Sequence, residues 1–465
     1  MKLFHHQEQF AANPPRRIML NWEMGTGKSI AVLAAMDREK ASGQRLKTLI
    51  VAPKSVLRSA WLRDSQHFPD LRVAVVAGNN KNVRREIIHS GIHDVLITNY
   101  EQFKIHFTDF WNCGIERLVI DESSKIKACG ANGGSSEIAE AAIKFCDKRE
   151  SVWLLSGTPA PNNEVEWFNQ IRCLDAALSG KSSHVFGYTW CFPTKRQLRI
   201  GSQVRTIISG WTMRPGFREK FVEMLKKRVW TIKAHECVDL PPETEIFHDV
   251  TLTDSEKSAY DTALNQLIIE LDQETVGINP TAKAMKLRQI TGGAVRVDMI
   301  VKKLNDGRGS KMSTLLELLE YIGGKAVVWA EFTHEIEEIK NEVEKEGYVC
   351  GVINGATPAQ RREEIIANFQ RDAQPGGINL VIAHAAAAGH GITLTAARHN
   401  IFYSVGWVPE NHEQARKRIH RIGQCWPVEH HYLVAPGTID EKIIDVVQRK
   451  KSAAEAITEL LRRKL

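Results

Sequence analysis

A glycine-rich turn near the start of the chain has the composition of a phosphate-binding loop. Residues 19–35 read MLNWEMGTGKSIAVLAA, in which a short apolar run enters Gly-Thr-Gly-Lys-Ser and an alanine-rich helical run follows. Gly25 and Gly27 would let backbone amides point at a phosphate, because side chains there would block its approach. Lys28 would reach the β- and γ-phosphates and Ser29 would place its hydroxyl on Mg²⁺. A flexible strand-to-helix turn is the alternative, since Trp22 stands where the full loop pattern has its first glycine.

Two adjacent carboxylates follow an apolar run in IERLVIDESSKIK, residues 115–127. A buried strand that delivers acids at its carboxyl end is the usual arrangement for Mg²⁺ in a parallel sheet. Asp121 would hold the ion and Glu122 would orient and deprotonate an attacking water. A surface Asp-Glu pair is the alternative, but the preceding LVI and the roughly 90 residues that separate the pair from the loop favour the catalytic interpretation.

The elements that must position these residues are predicted to be alternating strands and helices. Short apolar runs that end in small or polar residues occur at 48–56, 94–101, 117–124 and 152–159, and again at 325–332, 348–355, 379–394 and 399–407. Helical stretches separate them. The pattern predicts an α/β protein with doubly wound parallel sheets whose function lies at the carboxyl ends of the strands.

A cluster of cations in the second half has a possible role at a phosphate. HEQARKRIHRIGQ, residues 412–424, contains Arg418 and Arg421 at helical i,i+3 spacing, which would place both on one helix face. A solvated basic helix is one interpretation. The other is that both arginines reach the γ-phosphate across a cleft, since a guanidinium binds phosphate oxygens bidentately and stays charged.

Composition excludes several classes of protein. The 465 residues carry a net charge of +7 and 43% hydrophobic residues, without an apolar stretch long enough for a bilayer or a secretion signal at the N-terminus. The eight cysteines form no Cys-x-x-Cys pair, which argues against a zinc ribbon or a disulfide framework and for a reducing, cytoplasmic compartment. His430 and His431 are adjacent and would point to opposite faces of a strand, so no metal site is assigned there.

Taken in order, the motifs resemble those of helicase superfamily 2, in the SWI/SNF-like group and in a compact phage or bacterial form. LFHHQEQF is similar to its glutamine motif, WEMGTGKS to its Asp-Glu-Met-Gly-x-Gly-Lys box, LIVAPKSVLRSAW and VLITNYEQF to two DNA-contacting boxes, and LLSGTPAPNN to its coupling motif. INGATPAQRREEIIANFQ and the run from AAGHGITL to RIHRIGQ resemble the boxes of its second half. The resemblance covers nearly the whole chain.

The resemblance implies two RecA-like lobes with ATP in the cleft between them. Lobe 1 would span 1–240 with a helical protrusion at about 171–235. Residues 241–305 would form a helical interlobe linker or protrusion, and lobe 2 would span 306–465 and end in a basic helix.

The resemblance also assigns sites, with ATP and Mg²⁺ as cofactors. The catalytic set is Lys28, Asp121, Glu122, Arg418 and Arg421. The nucleotide set is Gln7, Met24, Gly25, Thr26, Gly27, Lys28, Ser29, Gly391 and Gln424, and Ser29 and Asp121 hold the metal. Coupling falls to Ser156, Gly157, Thr158 and Gln414. The nucleic-acid set is Pro53, Lys54, Thr98, Asn99, Tyr100, Asn354, Gly355, Thr357, His384 and Thr395.

The function implied is a DNA-dependent ATPase that translocates along double-stranded DNA with little sequence preference, most simply as a monomer. A strand-separating or annealing DNA or RNA helicase is the alternative, and a nucleotide-gated clamp without turnover is a second. Two departures from the family pattern bear on coupling. Ser124 replaces the histidine after the acidic pair, and His390 replaces an apolar residue in the late glycine box.

Overall fold

The computed structural model describes every residue except 1, 129–134, 161–162, 201–202, 238–239, 273–279, 298–299, 306–307, 372–375, 389–391, 446 and 449–465. The predictions for Gly391, for the His390 departure and for the C-terminal basic helix therefore lie outside the described residues. The chain divides into two compact units, one of residues 1–239 with 452–465 and one of residues 240–451. This division falls beside the predicted end of lobe 1 at residue 240.

The first unit is built around a parallel sheet of seven strands within the described residues. The strands of this unit are β1 (Arg17–Trp22), β2 (Thr48–Ala52), β3 (Val73–Val76), β4 (Val95–Asn99), β5 (Arg117–Asp121), β6 (Ser151–Leu155), β7 (Cys191–Ile200), β8 (Gln203–Met213) and β9 (Val229–Ile232). The order in the sheet is β3-β4-β2-β5-β6-β1-β9, and every pairing in it is parallel. The strands β1, β6 and β5, which carry the predicted loops, are therefore immediate neighbours.

Helices cover both faces of this sheet. They are α1 (His5–Ala12), α2 (Lys28–Ala41), α3 (Arg63–Ser65), α4 (Lys81–His89), α5 (Tyr100–Ile105), α6 (Phe107–Asn112), α7 (Glu137–Cys146), α8 (Trp167–Leu174), α9 (Ala176–Ser179), α10 (Ser183–Trp190), α11 (Arg218–Lys226) and α12 (Ala234–Cys237), with a π-helical segment Leu57–Leu62 and 3₁₀ turns Ser123–Ile126 and Glu164–Glu166. One core packs Phe103, Phe110 and Phe145 on one face of the sheet. The other packs Phe10, Trp61 and Trp153 on the opposite face. Burial on both faces explains why these strands read as continuous apolar runs.

The region of the predicted helical protrusion, 171–235, contains strands as well as helices. Strands β7 and β8 form a two-stranded antiparallel sheet. Strand β9 joins the main sheet beside β1, with Met19 opposite Val229. Only part of this region is therefore helical.

The second unit has a six-stranded parallel sheet within its described residues. Its strands are β10 (Glu243–Asp249), β11 (Ala294–Val297), β12 (Ile300–Lys303), β13 (Ala326–Trp329), β14 (Cys350–Ile353), β15 (Leu380–Ala383), β16 (His399–Phe402) and β17 (Val428–Val434). Its helices are α13 (Asp254–Asp272), α14 (Pro280–Thr291), α15 (Ser310–Ile322), α16 (Thr333–Lys345), α17 (Ala359–Gln370), α18 (Ala385–Ala388) and α19 (Pro409–Arg416). The sheet order is β10-β17-β16-β13-β15-β14, and all its pairings are parallel.

Residues 241–305, predicted as a helical interlobe linker, contain a strand of the second sheet. Strand β10 pairs with β17 over its full length, from Glu243 opposite Val428 to Asp249 opposite Val434. The rest of the described segment consists of α13, α14 and the antiparallel pair β11–β12. The segment is therefore a part of the second unit. Its β10 alternates exposed and half-buried residues as an edge strand does, which is a weak signal in the sequence.

The second sheet also has a core on each face, one around Trp329, Phe369 and Phe402 and one around Leu315, Ile339 and Tyr403. Both units are thus doubly wound α/β sheets, as the sequence predicts. Among the described residues, no helix combines the length and the apolar character that a membrane span requires.

Candidate active site

The glycine-rich loop lies between β1 and α2 and has backbone that only glycine adopts easily. Gly25 has a φ of +83° and Gly27 a φ of +76°. A Cβ on Gly27 would lie 2.1 Å from Gln7 Nε2, so a side chain has no room there. Helix α2 begins directly after Gly27, and its free N-terminal amides face the loop. The loop therefore has the backbone geometry of an anion cradle.

Lys28 folds its side chain back over the loop. Its Nζ donates to the carbonyl oxygens of Trp22 at 2.7 Å and Glu23 at 3.0 Å. Thr26 is buried and its hydroxyl donates to the Glu23 carbonyl at 2.8 Å, and Met24 lies in the same turn. The ammonium group thus sits against the loop that it follows.

Gln7 is hydrogen-bonded to the backbone of the loop. Its Nε2 donates to the carbonyls of Thr26 and Gly27, both at 3.2 Å, and its Oε1 accepts from the Phe4 amide at 2.9 Å. Its neighbour His6 contacts the Thr26 carbonyl at 2.9 Å. Gln7, which the resemblance places at the nucleotide, is therefore hydrogen-bonded to the loop and joins it to α1.

Asp121 is the last residue of β5, and the structure surrounds it with groups that the sequence did not reveal. Trp61 Nε1 donates to Asp121 Oδ2 at 2.8 Å, and the Tyr100 hydroxyl donates to the Asp121 carbonyl at 2.6 Å. Burial raises the pKa of Asp121 to about 6, against the lowering effects of the Trp61 hydrogen bond and the Lys28 charge. A buried carboxyl with a raised pKa is a candidate for a functional role.

Glu122 has a left-handed backbone, with φ 60° and ψ 56°. It is the non-glycine residue with positive φ among the described residues, and such a backbone costs about 1–2 kcal/mol. The Ser124 hydroxyl donates to Glu122 Oε1 at 2.8 Å, and Ser156 Oγ lies 3.5 Å from the same oxygen. The serine that replaces the family's histidine thus contacts the carboxylate directly, and it links Glu122 toward the coupling loop.

The coupling loop after β6 packs against the phosphate loop. The Thr158 amide donates to Ser156 Oγ at 3.1 Å. A Cβ on Gly157 would lie 3.4 Å from the Trp22 carbonyl and 3.5 Å from the Met24 amide. The predicted coupling residues of the first unit are therefore brought together with both the loop and Glu122.

Ser29 has an acidic partner that sequence reasoning missed. Its hydroxyl donates to Asp64 Oδ2 at 2.6 Å. Trp61 lies in the π-helical segment Leu57–Leu62, at the end of the predicted DNA-contacting box, and Asp64 follows in α3. Trp61 ends the quoted motif, but nothing in the pattern relates it to a carboxylate 60 residues away.

These oxygen donors fit Mg²⁺. A serine hydroxyl and two carboxylates are the ligand types that Mg²⁺ takes in proteins, usually with several waters and the substrate phosphates. Asp121, Ser29 and Asp64 are the residues that would hold it, Ser29 and Asp121 being the predicted pair. The Asp121 carboxyl accepts from Trp61 Nε1, while the Asp64 carboxyl accepts from the Ser29 hydroxyl and from the exposed Arg63 guanidinium at 3.2 Å.

In the second unit the two predicted arginines are close together, but not on a helix. Helix α19 ends at Arg416, and Arg418 and Arg421 lie in the turns that follow. The prediction of a shared helix face is therefore wrong. The fold still pairs them, because both guanidinium groups donate to the Ile392 carbonyl, Arg418 at 3.3 Å and Arg421 at 3.0 Å.

Two glutamines predicted near these arginines are buried. Gln414 lies on α19 and is 5% exposed. Gln424, also 5% exposed, donates from Nε2 to the carbonyls of Thr395 at 3.2 Å and Ala397 at 2.8 Å. Gln424 therefore stabilises the turn before β16 through these hydrogen bonds.

The predicted nucleic-acid residues of the first unit differ in their surroundings. Thr98 is fully buried and donates to the Val76 carbonyl at 3.0 Å. Asn99 caps α5 by accepting from the Gln102 amide at 2.9 Å. The Tyr100 hydroxyl is bonded to the carbonyls of the acidic pair. These side chains stabilise the site, whereas Pro53 and Lys54, in the turn after β2, are the more accessible candidates.

In the second unit the nucleic-acid candidates fall at two places. Asn354, Gly355 and Thr357 form the turn after β14, where Thr357 Oγ1 accepts from the Asn354 amide at 3.0 Å, and His384 follows β15. These four lie at the carboxyl edge of the sheet. Thr395 precedes β16 and accepts from Gln370 Nε2 at 3.2 Å, which places it toward the amino end of that strand.

Comparison with known proteins agrees with this description. Residues 9–304 match the model of the SNF2-related domain, and residues 310–423 match that of the helicase conserved C-terminal domain. The chain therefore belongs to the SNF2-related family of helicase-like ATPases.

Individual relatives are distant. Protein p41 of Acyrthosiphon pisum secondary endosymbiont phage 1 is 25% identical over 95% of this chain and 94% of its own length. YwqA of Bacillus subtilis, whose name proposes an ATP-dependent helicase/translocase, is 28% identical over 94% of this chain. This chain spans 46% of YwqA and 61% of a Caenorhabditis elegans SWI/SNF-related protein that is 27% identical. The Sulfolobus solfataricus SWI2/SNF2 ATPase core in complex with dsDNA is similar at 22% identity and a TM-score of 0.44, over 98% of this chain and 93% of that one.

Proposed function

We propose that this protein hydrolyses ATP when it is bound to nucleic acid and uses the energy to translocate along double-stranded DNA. The observation that carries the proposal is the convergence, at one edge of the first sheet, of an anion cradle, a lysine and a pair of acids. The preference for duplex DNA is inferred from the sequence resemblance to the SWI/SNF-like group. The net charge of +7 is compatible with a polyanionic track.

Lys28 and the loop amides would bind the phosphates of ATP. The magnesium ion, held by Asp121, Ser29 and Asp64, would neutralise phosphate charge when bound. Lys28 Nζ donates to the carbonyl oxygens of Trp22 and Glu23, and a phosphate would offer it a stronger, charge-assisted bond. Nucleotide binding would therefore replace these two contacts.

Glu122 would orient the attacking water. Its strained backbone and its hydrogen bond from Ser124 hold the carboxylate in one position, and such positioning is what phosphoryl transfer asks of a protein. The shared contact with Ser156 provides a physical route from Glu122 to the coupling loop. We propose that Ser124 takes over the link that a histidine makes in the family pattern.

Arg418 and Arg421 would stabilise the charge that develops on the transferred phosphoryl group, with Gln414 and Gln424 holding the segment that carries them. The shared bond to the Ile392 carbonyl positions both guanidinium groups as a pair. Arginine suits the role because its charge is permanent and its donors match phosphate oxygens.

Nucleic-acid contacts would come from Pro53 and Lys54 in the first unit and from the turn 354–357 with His384 in the second. These are backbone amides, small hydroxyls and single side chains at strand ends, which hold phosphates without reading bases. We expect affinity that falls steeply with salt and depends little on sequence.

The test is steady-state ATP hydrolysis without nucleic acid and with duplex DNA, single-stranded DNA or RNA, at two salt concentrations. Lys28→Ala is the blank, and Lys81→Ala, an exposed lysine on α4, is its matched control. Stimulation by duplex DNA that Lys28→Ala abolishes and Lys81→Ala retains supports the translocase. Stronger stimulation by single-stranded DNA or RNA would instead support a strand-separating or annealing helicase.

A clamp without turnover was suggested by the Ser124 departure alone. Because Ser124 bonds Glu122 at 2.8 Å, we expect Ser124→Ala to lower kcat about tenfold, the value of one hydrogen bond of about 1–1.5 kcal/mol. Nucleotide affinity should stay unchanged. If no nucleic acid raises hydrolysis above that of Lys28→Ala, the motor is refuted and the clamp takes its place.

A further inference from the structure

A cluster of imidazole and carboxylate groups lies in the second unit and has no part in the mechanism proposed for ATP. Strand β16 begins at His399, which pairs across the ladder with Glu429 of β17. His431 follows two residues after Glu429, so both side chains point to the same face of the sheet. Among the described residues, these three form the group with metal-ligating composition and close ligand atoms.

The distances between the ligand atoms match those around one tetrahedral ion. His399 Nδ1 lies 3.2 Å from His431 Nε2 and 3.2 Å from Glu429 Oε2, and His431 Nε2 lies 3.3 Å from Glu429 Oε2. Zinc bonds of 2.0–2.1 Å to nitrogen and oxygen give ligand separations of about 3.3 Å in a tetrahedron. We propose that His399, Glu429 and His431 bind a Zn²⁺ ion, with water in the fourth position.

The kind of ligand also selects the metal. Two imidazoles with one carboxylate suit zinc and similar transition metals, whereas Mg²⁺ and Ca²⁺ take oxygen ligands.

A supporting residue orients one ligand. His248 on β10 places its Nε2 3.0 Å from His431 Nδ1, the ring nitrogen that faces away from the cluster. Metal-binding histidines use their second nitrogen in this way, and such a contact fixes which nitrogen carries the proton. His431 is 3% exposed, while Glu429 is 42% exposed, so the open side of the cluster lies toward the carboxylate and admits water.

The adjacent His430 is not part of this site, although it is the histidine next to His431 in the sequence. Its side chain lies on the other face, bonded to Asn400 and Glu243, as strand alternation requires. No metal site is predicted for His430 and His431 as an adjacent pair. The relevant partners of His431 come instead from its own strand two residues earlier and from the start of the neighbouring strand.

The ion would join two strands that flank the arginine segment. Residues 403–427 connect β16 to β17 and contain Arg418 and Arg421. A zinc ion bound by both His399 and His431 would close the chain between them, including residues 403–427, into a loop. This loop closure would lower the entropy that the chain gains on unfolding. The proposal is independent of the ATPase assignment, since it concerns metal binding alone.

The experiment measures zinc in the full chain after tag removal and chelator treatment. All variants carry Cys425→Ser, because an exposed thiol such as Cys425 would be a competing ligand for zinc. Zinc affinity is measured by competition with a chromophoric chelator, and bound zinc by mass spectrometry. Cobalt substitution reports the coordination geometry through its visible absorption.

We expect one equivalent of zinc and an intense tetrahedral cobalt spectrum. His399→Gln and Glu429→Gln should each weaken zinc binding by more than about tenfold, and His248→Gln by about 10–100-fold. The control is His67→Gln, an exposed histidine of the first unit. Glu429→Gln keeps the test valid if His399→Gln fails to fold, because Glu429 is partly exposed.

Two results would overturn the proposal. One is that the chain binds less than one equivalent of zinc at micromolar concentrations, in which case the three side chains are only hydrogen-bonded to one another. The other is zinc binding that Glu429→Gln and His399→Gln leave unchanged, which would place the ion elsewhere.

Discussion

Replacing Asp121 with asparagine should stabilise the first unit while it abolishes ATP hydrolysis. The carboxyl of Asp121 is buried, and its pKa is raised from 3.8 to about 6. A raised carboxyl pKa means that the folded state holds the proton more tightly than the unfolded chain. The ionised form therefore costs stability at neutral pH. This cost begins to fall as the pH drops through the folded pKa of about 6, and it is lost only below the unfolded value of 3.8.

The magnitude follows from the shift. A difference of about 2 pKa units corresponds to about 3 kcal/mol of the free energy of unfolding at pH 7.5. The asparagine keeps an acceptor for Trp61 Nε1, which donates to Asp121 at 2.8 Å, but its amide adds a donor that costs about 1 kcal/mol. The expected net gain is about 2 kcal/mol, or about 4–8 °C in the Tm of a unit of this size.

The assay is thermal and urea unfolding without nucleotide or Mg²⁺, at pH 7.5 and at pH 4.5. The gain should be present at pH 7.5 and vanish or reverse at pH 4.5, where the folded wild type is already protonated. The matched control is Asp94→Asn. Asp94 bonds Lys40 at 2.7 Å and Arg72 at 3.0 Å, contacts that hold its pKa well below the usual range, so this change should destabilise at pH 7.5. An Asp121→Asn variant that is less stable than wild type at both pH values would refute the reasoning.

Three further outcomes are expected. Gly27→Ala should lower the affinity for ATP at least tenfold, because its Cβ would collide with Gln7. Its control, Gly43→Ala, has a φ of +86° and open space around it, and should lose only about 1 kcal/mol of stability. Titration with a fluorescent nucleotide measures the affinity, and an equal loss in both variants would contradict the collision. Trp61→Phe should move the acid limb of the pH profile of kcat/KM to higher pH, because it removes a hydrogen bond that lowers the pKa of Asp121. An acid limb at the same pH as in the wild type would exclude Asp121 as the titrating group. DNA affinity should fall steeply between 50 and 200 mM salt with similar slopes for unrelated sequences, and a slope near zero in fluorescence anisotropy would contradict phosphate contacts.

The sequence by itself determined the elements that depend on neighbouring residues. Gly25 and Gly27 between an apolar run and a helical run specify the strand, loop and helix of the cradle, because positive φ and close approach are local requirements. The run before Asp121 specifies a buried strand that ends in an acid for the same reason. The alternation of such units was enough to predict two doubly wound parallel sheets.

Only the tertiary structure decided which distant side chains meet. Trp61 reaches Asp121 across 60 positions, and His399 reaches His431 across 32. Such contacts depend on sheet order and strand register, which many sequences satisfy and no local pattern encodes. The end of α19 at Arg416 is likewise not encoded in the local pattern, since the basic run continues past it to Arg421. Local chemistry thus predicted where the phosphate site lies, and packing between remote segments decided which residues tune it.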